Sequence, residues 1–200
     1  MEKQINNDDS IITNPPRKIE IIDDIVYMSP SPNLRHSNIM WVINAFFKMH
    51  FRGKKCESYQ VPNIYYNPDK PKDHVIPDIA IMCEPDKFKF SGYYGVPSLI
   101  VEVLSSNRRD DLFVKLELYE RIGVGEYWIV DPLSNTINQY VLVEGKYDLV
   151  QVYCYLLEEE LEQLNEDERE QHRTFINSSI FTGLKIDLVD IFEDTLNMLK

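Results

Sequence analysis

Ser98-Leu99-Ile100-Val101-Glu102-Val103-Leu104 is apolar from Leu99 onward except at Glu102. A strand that is apolar at consecutive positions belongs inside a sheet covered on both faces, because an exposed face would demand alternation with polar residues. Glutamate is out of place there: desolvating its charge costs roughly several kcal/mol unless the carboxylate is paired or holds a metal. Period-two alternation sets Glu102 on one face with Ile100 and Leu104, and Val101 and Val103 on the other. The run therefore predicts a layered α/β domain with a charge held deliberately inside it.

The same anomaly recurs upstream in His74-Val75-Ile76-Pro77-Asp78-Ile79-Ala80-Ile81-Met82, where Asp78 interrupts a second apolar run. Pro77 marks a bulge or a strand edge, where sheets re-aim a side chain. Two carboxylates on neighbouring strands repel each other if they face the same side. A hard divalent cation removes that conflict, and so does a private Arg or Lys partner for each acid. The residues alone leave both solutions open. Lys115 lies three residues after Leu112 and four before Tyr119, on the sheet-facing side of a predicted helix. Its amine could reach the acids, or its stem could cover apolar surface while the amine meets water.

Outward from these segments, residues 1–17 are expected to form a flexible polar tail, and 18–200 a single domain. Ile19–Ile22 and Ile25–Met28 predict an N-terminal hairpin around Asp23-Asp24. Ser31 and Pro32 suit a helix start, and Ile39, Val42, Ile43, Phe46, Phe47 and His50 give residues 33–52 a helical period. Strands are expected at 55–61, 63–66, 75–82 and 98–104, a loop at 84–97, a helix at 109–122 and a strand at 126–130. A C-terminal β-hairpin extension follows at 137–143 and 146–153, and 180–200 closes with a strand-like piece and an amphipathic helix. The order predicts an α/β (α+β) mixed sheet flanked by helices. Phe88, Phe90, Tyr93 and Tyr94 suggest an exposed contact loop, and with it a homodimer.

The net charge of -12 argues against a polyanion as partner, but it is concentrated. Residues 158–170 hold eight acids against Arg169, which is -7 of the -12. This acidic insertion is expected to be a solvated helix docked through Leu157, Leu161 and Leu164. Lys48, Arg52, Lys54 and Lys55 form the opposite feature, a basic helix end suited to phosphate contact or to the helix dipole. Cys56, Cys83 and Cys154 include no CxxC pair, so reduced thiols and a cytoplasmic location are expected. No apolar run reaches the ~18 residues of a membrane span.

Ile76-Pro77-Asp78, Ile100 to Ser106, Lys115 to Tyr119 and Gly123-Val124-Gly125-Glu126-Tyr127-Trp128-Ile129-Val130-Asp131-Pro132 together resemble the Uma2 family of restriction endonucleases, within the PD-(D/E)XK nuclease group. Met28-Ser29-Pro30 with Arg35-His36, and Gly183-Leu184 to Phe192, extend the resemblance over most of residues 18–192. It implies a restriction-endonuclease-like core and a Mg²⁺- or Mn²⁺-dependent endonuclease acting on DNA. Asp78 and Glu102 match the metal-binding acids. Leu104 stands where the lysine of E-x-K would fall, and Lys115 matches a lysine moved to the following helix. Glu57 is a further candidate catalytic carboxylate. His36 matches a family position, with exposure on a helix as its blander explanation, and joins the basic residues as a candidate nucleic-acid contact. The alternative is a non-catalytic module that keeps the fold to bind DNA or protein.

Overall fold

The two apolar runs become the centre of a six-stranded sheet. The computed structural model describes residues 18–29, 31–105 and 108–196, the side chains of 108–112 and 196 excepted. The tail 1–17, Pro30 and Ser106 lie outside the described residues. In chain order come β1 (Lys18–Ile22), β2 (Ile25–Ser29), α1 (Leu34–Phe51), β3 (Glu57–Gln60), β4 (Ile79–Met82), β5 (Phe88–Lys89), β6 (Gly92–Tyr93), β7 (Leu99–Val103) and α2 (Arg108–Ile122). Then follow β8 (Glu126–Asp131), β9 (Thr136–Val143), β10 (Lys146–Cys154), α3 (Glu158–Glu162), α4 (Glu166–Gln171), β11 (Phe175–Asn177), β12 (Lys185–Asp187) and α5 (Leu188–Leu196).

The main sheet runs β10-β9-β8-β7-β4-β3. β7 and β8 are parallel and joined through α2, while the other neighbours are antiparallel. A parallel pair needs such a crossover. Each face of the sheet has its own core, as the unbroken apolarity of β7 demands. Leu99, Val101 and Val103 pack with Ile39, Ile43 and Phe47 of α1 and Ile191 and Phe192 of α5. Ile100, Ala80 and Met82 pack with Leu118 and Tyr119 of α2 on the other face. The β1–β2 hairpin turns at Asp23 and Asp24, both with positive φ (50° and 66°), a conformation that short acidic side chains tolerate.

Several expectations are corrected. Asn33, not Ser31, caps α1, accepting a hydrogen bond from the His36 N–H at 2.8 Å. No strand forms over 63–66; Ile64 makes single bridges to Val75 and Tyr93. The 84–97 loop contains the β5–β6 hairpin, and Tyr93, expected outside, is core at 1% exposure, leaving Phe90 as its fully exposed ring. The acidic stretch is two short helices, not one: at the start of α3 Glu160 accepts the Leu157 N–H, and at the start of α4 Asn165 and Glu168 form a reciprocal capping box. A break at Gln163–Asn165 replaces the continuous apolar stripe, and Leu157 is exposed. Cys56 and Cys83, expected as free thiols, form a disulfide because the pairing of Glu57 with Met82 sets them opposite each other. Among the described residues, no helix is long and apolar enough to cross a membrane.

Candidate functional site: a buried cluster of carboxylates and cations

Strand register brings the two anomalous acids together. Ile79 of β4 pairs with Val101 of β7, which places Asp78 across from Glu102. The Asp78 N–H donates to Glu102 Oε2 at 3.3 Å, and the Val103 N–H donates to Asp78 Oδ2 at 2.8 Å. Pro77 lies just before this contact, where β4 has not yet begun, so its missing N–H disturbs no ladder bond. The acids sit on the α2 side of the sheet, at 2% and 7% exposure.

Each neighbouring layer contributes a donor. Lys115 and Tyr119, one turn apart on α2, both reach Oε1 of Glu102: Nζ at 3.0 Å and the phenol O–H at 2.8 Å. From the start of α1, Nε2 of His36 lies 3.0 Å from Asp78 Oδ2. The helix histidine expected in solvent is thus buried at 6% exposure against the central acid.

Two members went unnoticed in the sequence. Lys18 and Glu20 alternate on β1 and share its inward face. The Lys18 ammonium donates to Asp78 Oδ1. Glu20, with no exposed surface, accepts the Ile76 N–H on Oε1 at 2.7 Å and pairs through Oε2 with Lys115 Nζ at 3.2 Å. A signal for Glu20 was present in Ile19-Glu20-Ile21-Ile22, the same isolated acid in an apolar strand that singled out Glu102. Lys18 carries no such signal, since a lysine at a strand's first residue is ordinarily solvated.

The environment drives the two facing acids apart. Burial pushes the Asp78 carboxyl upward, but the His36 hydrogen bond and the Lys18 charge outweigh it and hold Asp78 well below the usual carboxylate range. Glu102 moves the other way: burial raises it, Lys115 opposes the rise, and the Asp78 charge reinforces it. Burial, then the charges of Glu102 and Glu20, push the Tyr119 phenol far up, so it remains a donor.

A divalent cation fits the chemistry of this donor set, two hard carboxylates at adjoining strand ends. Among the described residues, no group of three or more His, Cys, Asp or Glu side chains is arranged to hold a metal. Two carboxylates are the number that an ion such as Mg²⁺ commonly takes, keeping several waters and adding substrate oxygens. The ammonium on Asp78 Oδ1 shows that the site already attracts positive charge there.

The remaining candidates lie elsewhere. Glu57 is at the far end of the β3–β4 pair, beside Met82, and makes an exposed ion pair with Lys48 at 3.3 Å. Arg52 caps the C-terminal end of α1, and Lys54 and Lys55 follow it on the surface. Sixteen residues of helix separate Arg52 from His36, a rise of about 24 Å. The basic group is thus not part of the cluster. Glu126, inside the Gly123–Pro132 motif, is also fully buried, but at the opposite end of the sheet, since it pairs with Leu99. It accepts from Trp128 Nε1, Gln139 Nε2 and Ser178 Oγ, each at 2.6 Å, and from the Ser179 and Ile180 N–H groups at 3.0 and 3.3 Å. All five donors are neutral, and the three from Ser178, Ser179 and Ile180 clamp that segment to β8.

The mixed sheet with helices on both faces matches the fold of a solved structure. A crystal structure described as a putative nuclease belonging to DUF820, from Anabaena variabilis, superposes with a TM-score of 0.65, covering 88% of this chain and 89% of that one at 15% identity. The model of the Uma2 family, described as "Putative restriction endonuclease", matches residues 8–175, and the chain belongs to this family. An uncharacterized protein of Synechocystis sp. is 25% identical over 142 residues, 68% of this chain; the match spans 65% of that relative's length.

Proposed function

We propose that the chain is a metal-dependent endonuclease that hydrolyses phosphodiester bonds of DNA, with Asp78 and Glu102 as its metal-binding acids. The observation that carries this reading is the facing of Asp78 and Glu102 across β4 and β7 with Lys115 Nζ 3.0 Å from Glu102. Bound there, Mg²⁺ or Mn²⁺ would supply an activated water and neutralise charge on the phosphate. Lys115, fixed between Glu20 and Glu102, points a cation at the place where the phosphate's extra charge develops. Tyr119 fixes the orientation of Glu102 through its O–H, and His36 and the Val103 N–H fix one oxygen of Asp78, leaving the other for the ion. Family membership supports nucleic acid as substrate; DNA is the proposed form.

The test is cleavage of supercoiled plasmid by purified protein in Mg²⁺ and Mn²⁺, with Asp78→Asn alongside. Metal-dependent nicking that disappears in the variant supports the reading; inactivity with both ions, and no ion binding by calorimetry, refutes it. One observation favours the alternative of a non-catalytic module for DNA or protein. Glu20, Asp78 and Glu102 are already matched by Lys18, Lys115 and His36 within the chain. Under that alternative, Asp78→Asn leaves binding of the ligand nearly unchanged.

A further inference from the structure

We propose that Lys18 is an internal stand-in for the metal: its ammonium occupies the ion's oxygen on Asp78 and must leave for the ion to bind. The inference rests on the nuclease reading of the site and adds a residue that controls its loading. Asp78 offers two oxygens. Oδ2 is committed to the Val103 N–H and to His36, so the oxygen left for an ion is Oδ1, and Lys18 holds it. On Glu102, Oε1 takes both Lys115 and Tyr119, while among the described residues Oε2 meets only a long contact from the Asp78 N–H. The oxygens available to an ion are therefore Asp78 Oδ1 and Glu102 Oε2.

The two lysines of the cluster are held differently. Lys115 is anchored between two acids on the buried face of α2. Lys18 begins β1, its side chain keeps 13% exposure, and its flexible four-carbon stem can carry the ammonium out to water. Two cations cannot share one carboxylate oxygen without strong repulsion in so buried a place. Loading is then an exchange, in which one ammonium departs and one divalent ion arrives. Until then the Lys18 ammonium offsets the charge of Asp78.

The experiment is Mn²⁺ titration of the full chain by calorimetry and by paramagnetic resonance of free Mn²⁺. The proteins are wild type, Lys18→Met, Lys18→Gln and Asp78→Asn, each verified as folded by circular dichroism. Lys18→Met keeps most of the stem and removes the charge; Lys18→Gln substitutes if it does not fold. The expected result is Mn²⁺ binding tighter than wild type by about tenfold or more, the scale on which a neighbouring unit charge alters ion affinity at a buried carboxylate. The Mn²⁺-induced rise in Tm should also be larger than in wild type. Binding by a Lys18 variant where wild type shows none supports the exchange equally. Equal or weaker Mn²⁺ affinity in the Lys18 variants, with wild-type binding lost in Asp78→Asn, overturns the role of Lys18 and leaves the nuclease reading standing. Absence of Mn²⁺ binding in wild type and in both Lys18 variants overturns the two together.

Discussion

Lys115 Nζ meets Oε1 of Glu102 at 3.0 Å although the two residues lie thirteen positions apart, one on α2 and the other on β7. In an E-x-K arrangement the lysine would stand at position 104, two residues along the same strand. Leu104 there is half-buried and packs with the core beneath α2. The ammonium reaches the same carboxylate from the helix instead. Under the proposed nuclease reading the site needs a positive charge at this position, and a helix crossing over the sheet can supply it as a strand would.

Lys115→Met separates that chemical role from a purely structural one. Removing the ammonium leaves Glu20 and Glu102 buried without their shared cation, so stability should fall by about 3 kcal/mol in urea titrations. Plasmid nicking per folded molecule should fall by about a hundredfold or more, while Mn²⁺ binding persists. Wild-type nicking by the folded variant would show that Lys115 only balances charge.

Asp78 predicts an acid limb in the metal-free protein. Its folded pKa is depressed by His36 and Lys18, so the stability it contributes is present above its unfolded pKa of about 4 and is lost as pH falls further. Asp78→Asn should flatten the decline between about pH 4 and 2 and lower stability at pH 7, where Lys18 loses its partner. Urea midpoints at pH 7, 4 and 3 for both proteins give the comparison. Parallel curves over that range would rule out Asp78 as a source of the limb.

Glu102, Asp78 and Lys115 were legible in the sequence for one reason: each is a charge in a segment whose periodicity says it is inside. Glu20 satisfied the same criterion in Ile19-Glu20-Ile21-Ile22, a run that reads equally well as a hairpin strand with one face in water. Lys18, the contact of His36 with Asp78 and the disulfide were not legible, because each depends on contacts between distant segments. Lys18 and His36 meet Asp78 across 60 and 42 positions, and Cys56 meets Cys83 only through the β3–β4 register. The mixed sheet was foreseeable from its apolar runs and turns, although the strand expected at 63–66 does not form. The split of the acidic stretch was not, since its leucines also fit one continuous helix.

The basic end of α1 looked like a phosphate contact in sequence, and its placement predicts otherwise for catalysis. Lys54→Gln with Lys55→Gln removes two charges just past the end of α1, whose C-cap Arg52 lies roughly 24 Å along the helix from His36. Nicking at physiological salt should change by less than about twofold. If the lysines do contact phosphates, the double variant should instead weaken DNA binding and reduce the salt slope by about 0.9 per lost contact. Gel-shift titrations at several salt concentrations distinguish the outcomes, and a reduced slope would place DNA along α1.

Glu126 tests whether a buried acid in the most distinctive motif of the chain belongs to chemistry or to architecture. Its carboxylate gathers five neutral donors from β8, β9 and residues 178–180, and it lies at the opposite end of β7 from Glu102. A charged acceptor serves such a set better than any neutral group, because every donor points at negative charge and none needs a hydrogen in return. Glu126→Gln replaces one oxygen with an NH₂ that must face donors. The variant should therefore lose about 3 kcal/mol of stability, and protease should cut first near 178–180, where the clamp is released. Mn²⁺ affinity and nicking per folded molecule should match wild type below the unfolding transition. Loss of Mn²⁺ binding in a folded Glu126→Gln protein would contradict this division and link the two ends of the sheet.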